Sequence, residues 1–161
     1  MVSVYGESDE HWMQLAIAAA VDAGKKNEVP VGACVVVNGD CFVAAGNRTR
    51  IDCDPTAHAE VLALREAARL AGNFRLAGAV VYSTIEPCAM CAGALIQARV
   101  SRLVYGARDE RFGAVESQFR ICDSNVLNHR MELTPGVLGD ECRALMQDFF
   151  RKRRRKTAGE K

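Results

Sequence analysis

Apolar residues recur along the chain with two different spacings, which predict an alternation of helices and strands. From Ser8 to Lys26 the apolar side chains recur three or four residues apart, as on the buried face of a helix, and Ser8 is a suitable N-cap. The β-branched segment Val31 to Val37 predicts a strand. Asn38-Gly39 is typical of a tight turn, so a second strand from Cys41 to Ala45 should return antiparallel to the first.

The alternation continues through the middle of the chain. Good helix formers from Ala57 to Ala71 predict a second helix, which Gly72 can end. Residues 78–84 predict a buried strand. Pro87 fits the first turn of a third helix, which continues from Ala89 to Ala98.

The remaining elements complete a layered α/β pattern. Ser101 to Tyr105 predicts another short buried strand, and Met131 to Leu133 predicts an edge strand. Residues 107–129 have no clear period and predict a loop with short helical pieces. An apolar stripe from Leu138 to Phe149 predicts the final helix. Strands that alternate with helices after an opening hairpin are typical of a three-layer α/β domain.

Length and composition indicate an ordinary globular domain. The length of 161 residues favours a single domain that spans residues 1–161, and hydrophobic residues make up 49% of it. No apolar run approaches the roughly 18 residues that a membrane-spanning helix needs. Residues 1–11 lack the basic and then apolar pattern of a signal peptide. We therefore expect a cytoplasmic protein without a membrane segment.

Charge is distributed unevenly, although the net charge is only +1. Residues 151–161 contain seven basic residues and one acidic residue, whereas residues 1–150 contain 14 basic and 19 acidic residues. A basic C-terminal tail on a mildly acidic body favours a polyanionic partner. The alternative is that this run is only the solvated end of a helix, where positive charge is favourable.

The strongest chemical signal is a pair of short motifs that lie 30 residues apart. Thr56-Ala57-His58-Ala59-Glu60 contributes an imidazole and a carboxylate, and Pro87-Cys88-Ala89-Met90-Cys91 contributes two thiols. One imidazole and two thiolates are three zinc ligands, which leave the fourth position for water, as in catalytic zinc sites. A nearby carboxylate can take a proton from that water and pass it to a substrate. The motifs predict a zinc hydrolase with His58, Cys88 and Cys91 as ligands and Glu60 as its catalytic residue.

Two other interpretations of the cysteine pair remain open. C-x-x-C is also a redox motif, although Ala89-Met90 does not resemble the residues between thioredoxin-type cysteines. A purely structural zinc would need a fourth protein ligand such as Cys53. Neither interpretation gives Glu60 a role. The scattered cysteines are interpreted as small buried hydrophobic residues or incidental thiols, namely Cys34, Cys41, Cys53, Cys122 and Cys142.

The two motifs together resemble the zinc-dependent cytidine and deoxycytidylate deaminase superfamily, whose signature is H-x-E followed by P-C-x-x-C. Further segments resemble one branch of it, the bacterial tRNA-specific adenosine deaminases, over most of the chain. Those segments are Val29 to Ala33, Asp54 to Glu60, Glu86 to Ala94, Gly106 to Asp109, Asn128 to Arg130 and Asp148 to Arg151.

The resemblance implies a fold, a reaction and partners. The fold would be a three-layer α/β/α cytidine-deaminase-like domain with a mixed five-stranded sheet, working as a homodimer. The reaction would be hydrolytic deamination of adenosine to inosine at the wobble position of an arginine tRNA, with zinc-activated water attacking C6 of adenine and ammonia leaving. The RNA partner would be the tRNA anticodon stem-loop. His58, Cys88 and Cys91 would hold one zinc ion and Glu60 would shuttle the proton.

The same resemblance implies several RNA contacts. Asn47 and the backbone N–H of Ala59 would contact the base, and Asp109 would lie near the sugar of a neighbouring nucleotide. For Asn47 the alternative is a turn residue, and for Asp109 it is a charge that solvates a loop. Apart from the resemblance, Phe149 and Phe150 are candidates for stacking on loop bases, with core packing as the alternative for at least one of them. Arg151 begins the basic run and is a candidate for phosphate contact.

Two competing functions remain at this point. A deaminase of free guanine, cytosine or cytidine would share the zinc chemistry, but the basic tail and Gly106 to Asp109 favour RNA. A catalytically silent zinc protein that binds nucleic acid would have no need of Glu60.

Overall fold

The computed structural model describes residues 7–160, and the strands in this part of the chain form one mixed sheet. The strands are β1 (Gly32–Val37), β2 (Asp40–Gly46), β3 (Val80–Ile85), β4 (Arg102–Ala107) and β5 (Glu132–Pro135). The spatial order is β2-β1-β3-β4-β5, with β1 antiparallel to β2 and β3, and with β3, β4 and β5 parallel.

Helices cover both faces of this sheet. The helices are α1 (Asp9–Lys25), α2 (Ala59–Ala71), α3 (Ala89–Gln97) and α4 (Gly139–Gly159). One core packs α2 and α3 against the sheet, and a second core packs α1 and the first part of α4 against the opposite face. The predicted three-layer α/β/α fold with a mixed five-stranded sheet is confirmed.

Strand β1 shows why the apolar run at residues 31–37 is continuous. Ala33 and Val35 point into the core beneath α2 and α3, whereas Cys34 and Val36 point into the core beneath α1. A strand that is buried on both faces needs apolar residues at every position.

Helix α1 is fixed at its start by a side-chain cap and by a buried ion pair. Ser8 Oγ accepts the backbone N–H of His11 at 3.2 Å. Asp9 accepts two hydrogen bonds from the Arg102 guanidinium, at 2.9 and 2.6 Å, and one from the Tyr82 hydroxyl at 2.9 Å. These bonds connect α1 to the amino end of β4. Cys88 lies at the opposite end of the parallel strands, after the carboxyl end of β3.

The starts of α2 and α3 differ from the sequence-based prediction. Helix α2 begins at Ala59 with His58 as its N-cap, because the Asp54 carboxylate holds Thr56 in a turn before the helix. Pro87 lies outside α3, whose N-cap is Cys88. The Pro87 carbonyl accepts a hydrogen bond from the N–H of Ala114.

The later part of the chain also differs in detail. Residues 108–131 contain turns but no helical pieces, and the N–H groups of residues 115–117 are bonded to the buried Glu86 carboxylate instead of to a helical turn. Strand β5 is an edge strand, as predicted, but it runs from Glu132 to Pro135. Helix α4 continues through the basic tail to Gly159, since Arg and Lys are good helix formers. Across residues 7–160, every helix is too short or too polar to cross a membrane.

Candidate active site

The loop between β2 and α2 delivers His58 to the end of the sheet. Asp54 Oδ1 accepts the N–H of Thr56 at 2.8 Å and its hydroxyl at 2.7 Å, which closes a turn. The His58 N–H then donates to the Thr56 carbonyl, and the His58 backbone is extended with φ −74° and ψ 149°. His58 therefore sits just ahead of α2, at its positive end.

The loop after β3 delivers the two cysteines in the same way. Cys88 is the extended N-cap of α3, and Cys91 occupies its first turn. Two helix N-termini therefore meet at one point, and their partial positive charges favour thiolates.

The three side chains have the separations of a metal site. His58 Nδ1 lies 3.6 Å from Cys88 Sγ and 3.4 Å from Cys91 Sγ, and all three atoms lie within 4.8 Å of one another. Tetrahedral zinc with its usual bond lengths requires a nitrogen–sulfur separation of about 3.6 Å. These donors therefore fit a divalent metal, and Cys53, which is exposed and donates to the Arg50 carbonyl, is not among them.

The pKa values of these groups reflect their mutual contacts. The Cys91 thiol donates towards Cys88, which lowers the pKa of Cys88 to about 4 with further help from His58. The same contact and burial raise the pKa of Cys91, and the hydrogen bond to Cys88 raises that of His58. One thiolate is thus already favoured, and a bound cation would favour the second one too.

Glu60 lies buried directly beside the three metal-binding atoms. Its side chain is 2% exposed, and Oε2 lies 3.5 Å from Cys91 Sγ. Burial raises the pKa of Glu60, so this carboxyl can hold a proton more readily than an exposed one. The Ser83 hydroxyl contacts Glu60 Oε1 at 3.1 Å and the Ile85 carbonyl at 2.7 Å, which orients the carboxyl.

Asn47 and Ala59, both assigned to the base by resemblance, contact each other. The buried Asn47 Oδ1 accepts the backbone N–H of Ala59 at 2.8 Å. The Ala59 N–H is therefore engaged by the protein, which differs from the assignment of that donor to the base. The Asn47 Nδ2 group is the amide donor that this arrangement leaves.

Asp109 is half-buried and organises the loop after β4. Its Oδ1 accepts the backbone N–H groups of Arg111 and Phe112, both at 3.1 Å. The structure thus gives Asp109 a role in loop geometry, beyond the solvating charge considered from the sequence.

The two aromatic residues of the Asp148 to Arg151 segment face different surfaces. Phe149 is half-buried in a cleft of about 330 Å³ between α1 and α4, and the Arg153 guanidinium lies 5.4 Å from its ring centre. Phe150 is 39% exposed and lines a groove of about 570 Å³. We call this the arginine groove; its other lining residues are Arg111, Met146, Gln147, Arg151 and Arg154.

Arg151 therefore lies in the arginine groove, while Phe149 does not line it. The Arg151 guanidinium also pairs with Asp148 one helical turn earlier, at 3.0 Å. Of the two rings considered for base stacking from the sequence, Phe150 lies among the arginines and Phe149 does not.

Sequence reasoning missed several side chains that shape the site. Ser83 is hidden in an apolar strand, and Arg111 comes from a loop without a recognisable motif. Glu28 is fully buried and accepts hydrogen bonds from Thr49, Arg50 and Ile51, in the loop that leads to His58. The one local signal was an acidic residue next to an apolar Val-Pro-Val segment.

Comparison with known proteins defines the class of this molecule. Residues 7–154 match the model of the MafB19-like deaminase family. A tRNA-specific adenosine deaminase from Haemophilus influenzae is 43% identical over 98% of this chain and 92% of its own length.

Solved structures agree with that class. A structure from a study of A-to-I editing by tRNA:A34 deaminases at the wobble position of transfer RNA superposes with a TM-score of 0.81. It is 43% identical and covers 84% of this chain and 98% of its own. Guanine deaminase from Bacillus subtilis is 33% identical with a TM-score of 0.62, and covers 63% of this chain and 66% of its own.

The fold and the His-Cys-Cys site with its adjacent glutamate are those of a nucleic-acid or nucleobase deaminase. Matches over nearly the full length narrow this class further. The chain belongs to the MafB19-like deaminases and, among them, to the family of the tRNA-specific adenosine deaminases.

Proposed function

We propose that this protein hydrolyses adenosine to inosine at the wobble position of a tRNA, with arginine tRNA as the substrate and one zinc ion as the cofactor. The observation that carries the proposal is the meeting of His58, Cys88 and Cys91 beside the buried Glu60. That site lies in a chain that resembles tRNA-specific adenosine deaminases over nearly its whole length.

His58, Cys88 and Cys91 would hold the zinc. Thiolate and imidazole ligands suit zinc, and the nitrogen–sulfur separations of 3.6 and 3.4 Å match its tetrahedral geometry. When bound, zinc supplies the Lewis acidity that makes water nucleophilic near neutral pH. The two helix N-termini favour the thiolate form that binds metal; Cys88 already prefers it, and a bound cation would favour it at Cys91 too.

Glu60 would take a proton from the attacking water and return it to the leaving ammonia. Its raised pKa suits both steps, since a group that is too acidic would not carry the proton forward. Ser83 keeps the carboxyl turned towards the site, and burial excludes bulk water from it.

Asn47 would bind the adenine base through its Nδ2 group. Its Oδ1 is fixed by the Ala59 N–H at 2.8 Å, so the orientation of the amide is set before substrate arrives. A contact between the base and the Ala59 N–H would have to replace that bond. Asp109 would act near a neighbouring nucleotide by holding its loop in shape.

The arginine groove supports RNA as the substrate. Arg111, Arg151 and Arg154 surround the partly exposed Phe150, which combines phosphate-binding guanidinium groups with a surface for base stacking. Phe149, in the neighbouring cleft, supports α4 against α1. The basic residues beyond Arg151 continue the positive surface along α4.

We further propose a homodimer that works in the cytoplasm. The proposal is supported by large exposed apolar side chains, which a second copy of the chain would bury in a dimer interface. They include Phe74, Phe112, Phe119 and Val126, which are 62–85% exposed.

A paired deamination assay with zinc-loaded protein tests the proposed function. One arm contains an unmodified arginine tRNA anticodon stem-loop with adenine at the wobble position. The other arm contains free adenosine, guanine, cytosine and cytidine. Mass spectrometry should find inosine confined to the wobble base. If a free base or nucleoside is deaminated and the stem-loop is not, the substrate is a small molecule and not RNA.

A further inference from the structure

Glu86 is a buried carboxylate with no place in the chemistry described above. It lies between β3 and Cys88, and its side chain is 1% exposed. Within residues 7–160 no arginine, lysine or histidine pairs with it. A buried carboxylate without a cationic partner must be stabilised by hydrogen-bond donors.

Those donors come from a single loop that is distant in sequence. Glu86 Oε2 accepts the backbone N–H groups of Val115, Glu116 and Ser117 at 3.2, 3.0 and 2.9 Å. Glu86 Oε1 accepts the Ser117 hydroxyl at 2.5 Å and the Asp109 N–H at 3.4 Å. One carboxylate therefore closes both ends of the segment from Asp109 to Ser117, which we call the 109–117 loop.

The 109–117 loop is also held against the cysteine end of the site. The Ala114 N–H donates to the Pro87 carbonyl at 2.9 Å, and Gly113 forms a β-bridge with Cys88. A Cβ atom at Gly113 would collide with the Glu86 carboxylate and with the Asp109 backbone carbonyl, so the close approach requires glycine. The backbone of the loop thus rests directly on Glu86.

The exposed part of the loop carries side chains that face the proposed RNA surface. Arg111 lines the arginine groove together with Phe150 and Arg151. Asp109 fixes the turn at Arg111 and Phe112 through its side chain. Because Glu86 bonds to both ends of this loop, it sets where Arg111 lies relative to α4.

We propose that Glu86 is a positioning residue for substrate binding, which holds the 109–117 loop so that Arg111 completes the arginine groove. This inference rests on the proposed function, because it takes RNA to be the ligand of that groove. Glu86 is tied to RNA affinity and not to proton transfer, which belongs to Glu60.

The charge of Glu86 matters as well as its shape. Hydrogen bonds from N–H groups to a carboxylate are stronger than those to a neutral amide. A glutamine at this position keeps the volume of the side chain. Its NH₂ group, however, would face loop groups that are themselves hydrogen-bond donors.

Two variants perturb the same contact from opposite sides. Glu86→Gln weakens the acceptor, whereas Gly113→Ala leaves the carboxylate intact and places a methyl group against it and against the Asp109 carbonyl of the same loop. Asp9→Asn is the control, because Asp9 is also a buried carboxylate that accepts several hydrogen bonds. It lies at the amino end of β4, whereas Glu86 follows the carboxyl end of β3.

For zinc-loaded protein acting on the stem-loop, we expect Glu86→Gln and Gly113→Ala to raise KM at least tenfold and to change kcat less than threefold. Zinc content should stay at one ion per chain. Amide hydrogen exchange at residues 115–117 should accelerate in Glu86→Gln. Asp9→Asn should lower the melting temperature while it leaves KM and this exchange unchanged.

Three results would overturn the proposal. KM could stay unchanged in both loop variants, kcat could fall together with zinc content, or Asp9→Asn could raise KM as much as the loop variants do. Wild-type protein that leaves the stem-loop untouched would instead refute the proposed function. Failure of the proposed function is therefore seen in the wild type, whereas failure of the role of Glu86 is seen only in the variants.

Discussion

Replacing Glu60 by glutamine removes a charge from the site but keeps its volume. The carboxyl is buried, with Ser83 at one oxygen and Cys91 at the other. A glutamine can turn its carbonyl to Ser83 and its NH₂ group to the Cys91 sulfur. We therefore expect Glu60→Gln to fold and to keep its zinc.

The expected loss of activity follows from the role of a proton carrier. Such groups contribute roughly 10²–10⁴-fold to rate, which is about 2.7–5.4 kcal/mol of activation free energy. Glu60 is only 2% exposed, so bulk water cannot easily replace it. We expect a loss of about 10³-fold in kcat, in the middle of that range. Zinc affinity should change less than about tenfold, or about 1.4 kcal/mol, because His58, Cys88 and Cys91 are all retained.

Stem-loop deamination and zinc content should be measured on the same preparations. Glu66→Gln is the matched control, because Glu66 lies on the same helix, partly exposed and paired with Arg69. The control should keep wild-type kcat. Turnover of Glu60→Gln within tenfold of wild type, or loss of its zinc, would refute the assignment of proton transfer to Glu60.

Three further predictions concern stability, RNA binding and thiol chemistry. Asp9→Asn should cost about 2 kcal/mol of unfolding free energy, below the usual range for a broken buried pair because Arg102 keeps other partners. Burial alone would raise the pKa of Asp9, but its hydrogen bonds lower that pKa below the ordinary 3.8. The difference in unfolding free energy between wild type and Asp9→Asn should therefore be full above pH 4 to 5 and shrink as the pH falls further. A difference that grows in acid would contradict this prediction. Neutralising three arginines of the tail, at 153–155, should reduce the slope of log affinity against log salt by up to about two, and an unchanged slope would remove the tail from the RNA surface. Cys34 Sγ and Cys41 Sγ lie 3.2 Å apart, so diamide should remove two hydrogen atoms and link them; peptide mapping that finds both thiols free would contradict this.

Local sequence signals were sufficient where a feature depends on neighbouring residues. The period of residues 8–26, the Asn38-Gly39 turn and the two motifs that bring His58, Cys88 and Cys91 together are all of this kind. The starts of α2 and α3 were placed too early, since Asp54 and Ala114 engage the residues that precede these helices.

The contacts that shape the site could not be read from local patterns. Glu86 stands beside the cysteine motif in the sequence, but its hydrogen-bond donors come from residues 109–117. The same holds for Glu28, which bonds a loop more than 20 residues away. A buried acidic residue can be suspected from its apolar neighbours, but its partners depend on how distant loops fold together.

The length of α4 has a consequence for how RNA would be bound. The helix has 21 residues, or about 31 Å, and only its first half packs on the sheet, while residues 152–159 are exposed. Like charges four residues apart, such as Lys152 and Lys156, repel one another, and a helical segment without tertiary contacts is only marginally stable. A polyanion that neutralises those charges would strengthen the last turns, so part of the binding free energy is spent on ordering the segment that binds. Helix content at the C-terminus and RNA occupancy are therefore linked, and each will respond to salt through the other.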